Sequence, residues 1–126
     1  MYNDLPVAAT SKRDWGYYKI KNNVKAVVIH ESVKNYHGLT STAYMLSGMQ
    51  DANSISGAEY LDVSNVTNMS GMFDAFGGPY LAAVPDVSKW STGKVTDMSS
   101  MFRNYGSTSS LLAAVPDVSK LYEYNT

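Results

Sequence analysis

The sequence predicts an α/β repeat array: short parallel strands stacked on one face, short helices opposite, and an N-terminal β cap. Two observations carry this. "VTNMSGMF" at 66–73 returns as "VTDMSSMF" at 95–102, changed only at Asn68/Asp97 and Gly71/Ser100. "LAAVPDVSK" at 81–89 returns unchanged at 112–120. Stretches that recur within one chain mark stacked units, each burying its apolar face against the next.

The elements follow in chain order. Residues 1–42 are expected to be an N-terminal cap region with strands, where "KAVVI" (25–29) is the β-branched apolar run of a strand. "LDVSNVTNMSGMF" (61–73) lies over "WSTGKVTDMSSMF" (90–102) without a gap. The stretches that follow, "DAFGGPY" and "RNYGSTSSL", differ in length by two residues, as a Gly/Ser-rich surface loop tolerates. An older copy is read at "AYMLSGMQDA" (43–52) over "VTNMSGMFDA" (66–75), with Leu46 replacing the first Met and Gln50 replacing Phe. The repeats are then 43–65, 66–94 and 95–126, in one domain overall. Periods of roughly 23 to 31 residues overlap the leucine-rich-repeat range, so a leucine-rich-repeat-like solenoid is expected.

Within a unit, Val95, Met98, Met101 and Phe102 break strand parity and share one helix face, which predicts a helix of about two turns. Thr96 or Asp97 is placed to cap its N-terminus, and Gly77-Gly78 and Gly106 to end it. The block "LAAVPDVSKW" reads as a short strand anchored by Val84 and Val87, with Pro85 limiting the regular pairing. Unbranched Met pairs then interlock between neighbouring units. Met72→Ala or Met101→Ala should each cost about 2–5 kcal/mol, read from urea unfolding. Ser100→Gly should cost about 1 kcal/mol or less through helix propensity.

Composition narrows the function. Ten basic and eleven acidic residues leave a net charge of −1, too weak a bias to argue for nucleic acid or an anionic membrane. No cysteine is present, which excludes disulfides and thiolate chemistry. Apolar runs such as "AVVI" (26–29) are far short of a membrane span. The opening "MYNDLPVAATSKRD" lacks the basic head and apolar stretch of a signal peptide.

Catalytic patterns are weak. "HESVKNYH" (30–37) misses the His-Glu-x-x-His zinc spacing, because Lys34 stands where the second His is needed. "DVSNV" (62–66) begins like an Asp-x-Ser-x-Ser metal motif, but Val66 fills the last ligand position. No phosphate loop or nucleophile elbow is present, so a small hydrolase is the remote alternative. The chain is read as a non-enzyme without metal or cofactor. Partner contacts are assigned to two groups. Trp15, Tyr17 and Tyr18 form an aromatic cluster beside basic residues, of the kind found in sugar- and protein-binding patches; the alternative is an N-terminal strand that packs these aromatics onto the first repeat. Asp86, Ser88 and Lys89, with Asp117, Ser119 and Lys120, flank the strand anchors and should point outward if Val87 and Val118 point in.

The string "DVSKWSTGKVTDMSSMF" (86–102) resembles the BspA-type leucine-rich-repeat proteins of bacterial cell surfaces. Ser88, Trp90, Thr92, Val95, Met98, Met101 and Phe102 match that repeat in register, as do Val66, Met69, Met72 and Phe73. Leu61 and Leu121 depart from it, standing where the family has Trp. The resemblance implies an extracellular or cell-surface module for adhesion to protein or glycan on a host or neighbouring cell. A spacer segment of a larger adhesin is the alternative. Uncapped solenoid ends would permit self-association.

Overall fold

The computed structural model describes residues 10, 11, 15, 18–82 and 84–112. Strand β1 (Ala26–Val28) lies within the expected lead-in strand and pairs in parallel with β2 (Ser54–Ser56). The register sets Val27 beside Ile55, and the pairing runs on through Ile29 N–H to Ser56 O at 2.9 Å. Strand alternation turns Val27 and Ile55 inward and leaves Ala26, Val28, Ser54 and Ser56 on the outer side. Each strand runs into a short 3-10 helix, Glu31–Asn35 after β1 and Ala58–Tyr60 after β2. Their Val33 and Ala58 are buried.

Further along, the repeated segments lie side by side. Ser41 bridges Asn68 in parallel and Asn68 bridges Asp97. Thr67 N–H donates to Thr40 O (2.9 Å), and Thr96 N–H donates to Thr67 O (2.8 Å). From there alternate residues donate forward. Thr42, Tyr44, Leu46 and Gly48 reach the carbonyls of Asn68, Ser70, Met72 and Asp74. Met69, Gly71, Phe73 and Ala75 reach those of Asp97, Ser99, Met101 and Arg103, all within 2.8–2.9 Å.

This pairing replaces the helices expected over the Met/Phe segments. Among the described residues the helical elements are three 3-10 pieces, Tyr18–Asn23, Glu31–Asn35 and Ala58–Tyr60, none of which contains the repeat motif. The motif is instead a run of tight turns, such as Met72 N–H to Met69 O and Asp74 N–H to Gly71 O. Positive φ at Tyr44 and Gly48, Gly71 and Ala75, and Ser100 and Asn104 recurs every fourth residue. An α-helix directs every N–H along its own axis. A left-handed residue in each turn reverses that direction, so alternate N–H groups face the neighbouring copy. Burial at i and i+3 is satisfied by either geometry, which is why periodicity pointed to a helix.

The bridge between Ser41 and Asn68 also moves the first copy. Thr42-Ala43-Tyr44-Met45-Leu46 matches Met69-Ser70-Gly71-Met72-Phe73, four residues from the match suggested by Ser47-Gly48-Met49. Thr42, not Leu46, takes the place of the first Met. Because β1 pairs with β2, the first copy also takes in the strand before residue 43. The "LAAVPDVSKW" block is not a strand over its described residues. Asp86 Oδ1 accepts from Ser88 N–H and Oγ, and Trp90 N–H closes a turn on Val87 O. Val87 is buried there, whereas Val84 is only half-buried. Beyond Leu112, the second copy of that block, with Val115 and Val118, lies outside the described residues.

The core runs along the copies in columns. Met45, Met72 and Met101 make one, Leu46, Phe73 and Phe102 a second, and Met49, Phe76 and Tyr105 a third. Phe73 stacks on Phe102 (centroids 5.1 Å apart, 4° between planes) and Phe76 on Tyr105 (5.5 Å, 10°). Phe73 and Phe76 meet edge to face at 6.1 Å. Two tryptophans pin carbonyls from inside: Trp15 Nε1 donates to Ala43 O (2.8 Å) and Trp90 Nε1 to Ala58 O (2.9 Å).

The left-handed positions reverse the expectation for Ser100. With φ at +58°, Ser100 sits where Gly71 sits one copy earlier. A left-handed L-residue is disfavoured by about 1–2 kcal/mol, partly offset by the entropy glycine loses on folding. Ser100→Gly is therefore expected to stabilise the fold by about 0.5–1 kcal/mol. A rise in the urea midpoint at unchanged m-value is the expected reading, and a fall would argue against this backbone geometry.

Candidate binding faces

One local device organises the polar surface. Asp62, Asn68, Asp86 and Asp97 each accept, through Oδ1, both the backbone N–H and the Oγ of the serine two residues on. These are Asx turns, in which the side chain does the work of a backbone carbonyl. Asp97 thus performs the capping role expected of it, on a turn instead of a helix. His30 does the same with Nδ1, accepting from Ser32 N–H at 3.0 Å while Ser32 Oγ lies equally close. That role, and the Glu31–Lys34 ion pair at 2.8 Å, account for "HESVK" as a capped turn of 3-10 helix.

An exposed column runs across the copies beside this device. Thr40, Thr67 and Thr96 are in register, and all three are solvent-exposed. Thr96 Oγ1 donates to Thr67 O (3.1 Å) and Thr67 Oγ1 to Thr40 O (3.4 Å). Alongside, Lys94 Nζ donates to Asn65 Oδ1 (3.0 Å) and Asn65 Nδ2 to His37 O (3.4 Å). His37 Nδ1 lies 2.6 Å from Asp62 Oδ2, a contact that requires the proton on Nδ1 when the carboxylate is charged. The Ser64 hydroxyl first, then His37 and the Ser64 N–H, hold the Asp62 carboxyl down at about 2. The Ser99 hydroxyl and N–H lower Asp97 in the same sense.

A carboxylate held below its ordinary pKa stabilises the fold above about pH 4 and loses that contribution as pH falls through about 2. Asp62 is partly open to water, so screening limits its share to about 1 kcal/mol. Asp62→Asn is expected to flatten the fall in stability between about pH 4 and 2, followed by urea unfolding at stepped pH. An unchanged pH profile would remove this role for Asp62.

A cleft of about 410 Å³ opens elsewhere, lined by Thr10, Ser11, Tyr44, Ser47, Gly48, Gln50, Asp74 and Ala75. Asp74 is only 8 % exposed and is gripped in bidentate fashion by Arg103, Nε to Oδ1 at 3.1 Å and Nη2 to Oδ2 at 2.7 Å. Both its oxygens therefore accept from Arg103. Among the described residues no group of three His, Asp or Glu side chains converges as a metal site.

The sequence-based candidates separate. Asp86 and Lys89 are exposed, and Ser88 is half-buried with its hydroxyl held by Asp86. Trp15 is corrected: it is fully buried, its indole N–H fixed on Ala43 O, so its ring offers no outward contact. Tyr18 opens the helix Tyr18–Asn23. Tyr17, Asp117, Ser119 and Lys120 lie outside the described residues. The threonine column and the Asn65–Lys94 link were missed. Their signal was the repeated Val-Thr at 66–67 and 95–96, which the capping reading absorbed.

A family model described as "Mycoplasma protein of unknown function, DUF285" matches residues 19–121. The chain belongs to this family. No curated protein and no solved structure matches it. The match to the DUF285 model takes in both strands and all three turn segments described above. Among the described residues of this DUF285 chain, no helix is long and apolar enough to cross a membrane.

Proposed function

We propose that this DUF285 chain is a non-catalytic module of the cell surface or extracellular space. In this reading it is a leucine-rich-repeat-like solenoid that binds protein or glycan through an extended polar face. One observation carries it: the in-register column Thr40–Thr67–Thr96, flanked by Asn65 and Lys94, presents one chemistry at successive copies on an exposed face. Such a periodic surface suits an extended partner better than a small substrate. The exposed Asp86 and Lys89 add charge of both signs. The resemblance of 86–102 to the BspA-type repeats supports adhesion as the role.

The test is a protein and glycan array probed with the isolated chain. Thr67→Val, Lys94→Ala and Lys89→Ala should each weaken a hit by about tenfold, roughly 1.4 kcal/mol of binding free energy. Lys34→Ala serves as the control, since that ammonium is engaged with Glu31 within its own helix. Equal binding by all variants would discard this face. A second reading, a spacer within a larger adhesin, is favoured by the fact that the Thr67, Thr96 and Asn65 side chains bond within the face itself. Absence of any hit with the intact domain would select it.

A further inference from the structure

The copies depart from one another at the cleft of about 410 Å³ where the first meets the second. Tyr44, Gly71 and Ser100 share one register position and one left-handed backbone, with φ at +60°, +61° and +58°. Only the first copy places a ring there. A left-handed tyrosine carries about 1–2 kcal/mol of backbone strain, which persists only where the surroundings over-determine it. Gly71 makes room for the ring, because a Cβ on Gly71 would overlap Cδ1 and Cε1 of Tyr44. The half-buried Tyr44 is thus held on the backbone of the second copy while it lines the cleft.

The next register position supplies fixed polar groups. Asp74 lines the cleft with both oxygens on Arg103, yet a carboxylate has about four lone-pair sites, so acceptors remain. The Arg103 side chain is 64 % exposed, and among the described residues its Nη1 donates to no acceptor. Asp74, and more weakly the Tyr44 phenol, hold the Arg103 guanidinium above its ordinary pKa, so ring and guanidinium lie within electrostatic reach of each other. Gln50 is exposed, and its side-chain amide makes no hydrogen bond among the described residues. The charges of Asp74 and Arg103 cancel, and no other residue lining the cleft is charged at neutral pH.

We propose that this cleft binds one uncharged monosaccharide unit, packed on Tyr44 and hydrogen-bonded by Gln50, Asp74 and Arg103. A pyranose has a C–H-rich face that suits an aromatic ring and neighbouring hydroxyls that each donate and accept. A clamped carboxylate–guanidinium pair answers such hydroxyls with lone pairs and N–H groups in a fixed fork. An ionic ligand gains little from a pair whose charges already cancel. The cleft stands at the small end of ligand pockets, which run from about 300 to 1,000 Å³, so it suits one unit and not a chain. It shares no residue with the threonine column, so either site can fail without the other.

The experiment titrates the isotope-labelled full chain with D-glucose, D-galactose, D-mannose and N-acetyl-D-glucosamine, followed by NMR. At least one should bind saturably with a Kd of roughly 1–10 mM, shifting the Gln50 side-chain amide, the Arg103 Nε–H and the amides of Gly48 and Ala75. Tyr44→Gly copies Gly71 and keeps the left-handed backbone, and Gln50→Ala changes an exposed position. Each should weaken that sugar by about tenfold, while Lys34→Ala leaves it unchanged. A disaccharide of the same sugar should bind within about threefold of the monomer, and glucuronate no more tightly than glucose. Saturation by none of these sugars, shifts at Thr67 and Thr96 in place of the cleft, or undiminished binding by Gln50→Ala and Tyr44→Gly would each overturn the proposal. So would a preference of about tenfold for the disaccharide or for glucuronate.

Discussion

Gly57→Ala is expected to lose about 3–5 kcal/mol of stability, combining left-handed strain with forced overlap in a packed site. Gly57 follows β2 with φ at +88°, and a Cβ there would stand 1.9 Å from Ile29 O and 2.8 Å from the Ile29 carbonyl carbon. Those atoms are backbone, so no rotamer change relieves the clash. Ile29 is also bonded to Ser56 O, so moving it breaks the pairing of β1 with β2. Domains of this kind are stable by only about 5–15 kcal/mol, so much of the population should be unfolded at moderate urea. Far-UV circular dichroism against urea reads the effect. A loss under about 1 kcal/mol would mean the two strands do not approach this closely.

Phe73→Ala should cost about 3–5 kcal/mol, the range for removing a buried aromatic ring. Its ring is fully buried, stacked on Phe102 and meeting Phe76 and Tyr105 edge to face at 6.1 and 6.3 Å. Deleting it opens a cavity at the join between two copies, and each neighbouring ring loses a partner. The backbone cannot collapse into the gap while Phe73 N–H is tied to Met101 O at 2.8 Å. Phe102→Ala provides the internal comparison. Phe102 is only half-buried, so its loss should be the smaller of the two. Equal costs, measured by urea unfolding, would mean the column is not graded from centre to edge.

The inward face of the repeat was readable from letters. Met69, Met72 and Phe73, with Met98 and Met101, are buried, because apolar residues repeated at a fixed phase must share a core. The capping chemistry of Asp97 was readable too, since a carboxylate two residues before a serine favours an Asx turn in any context. The candidate faces were less legible. Asp86 and Lys89 are exposed as expected, but the residues between them and the core form a turn, not a strand. For Trp15 the sequence left a partner patch and packing onto the first repeat both open, because composition says nothing about which carbonyl an indole will find; its burial against Ala43 O decides for packing.

What the sequence determined alone is the existence of the copies, their apolar phase and their turn-forming polar residues. Each of these depends on chemistry within a few residues. The tertiary structure decided the rest: turns instead of helices, Ser41 set on Asn68, and Trp15 closing one end. The physical reason is the destination of backbone N–H groups. Over residues 69–75 alternate donors leave the segment for a strip of chain 28 residues on, from Met69 to Asp97 through Ala75 to Arg103. Side-chain periodicity is blind to such a long-range choice, and four left-handed non-glycine residues are held in place by it.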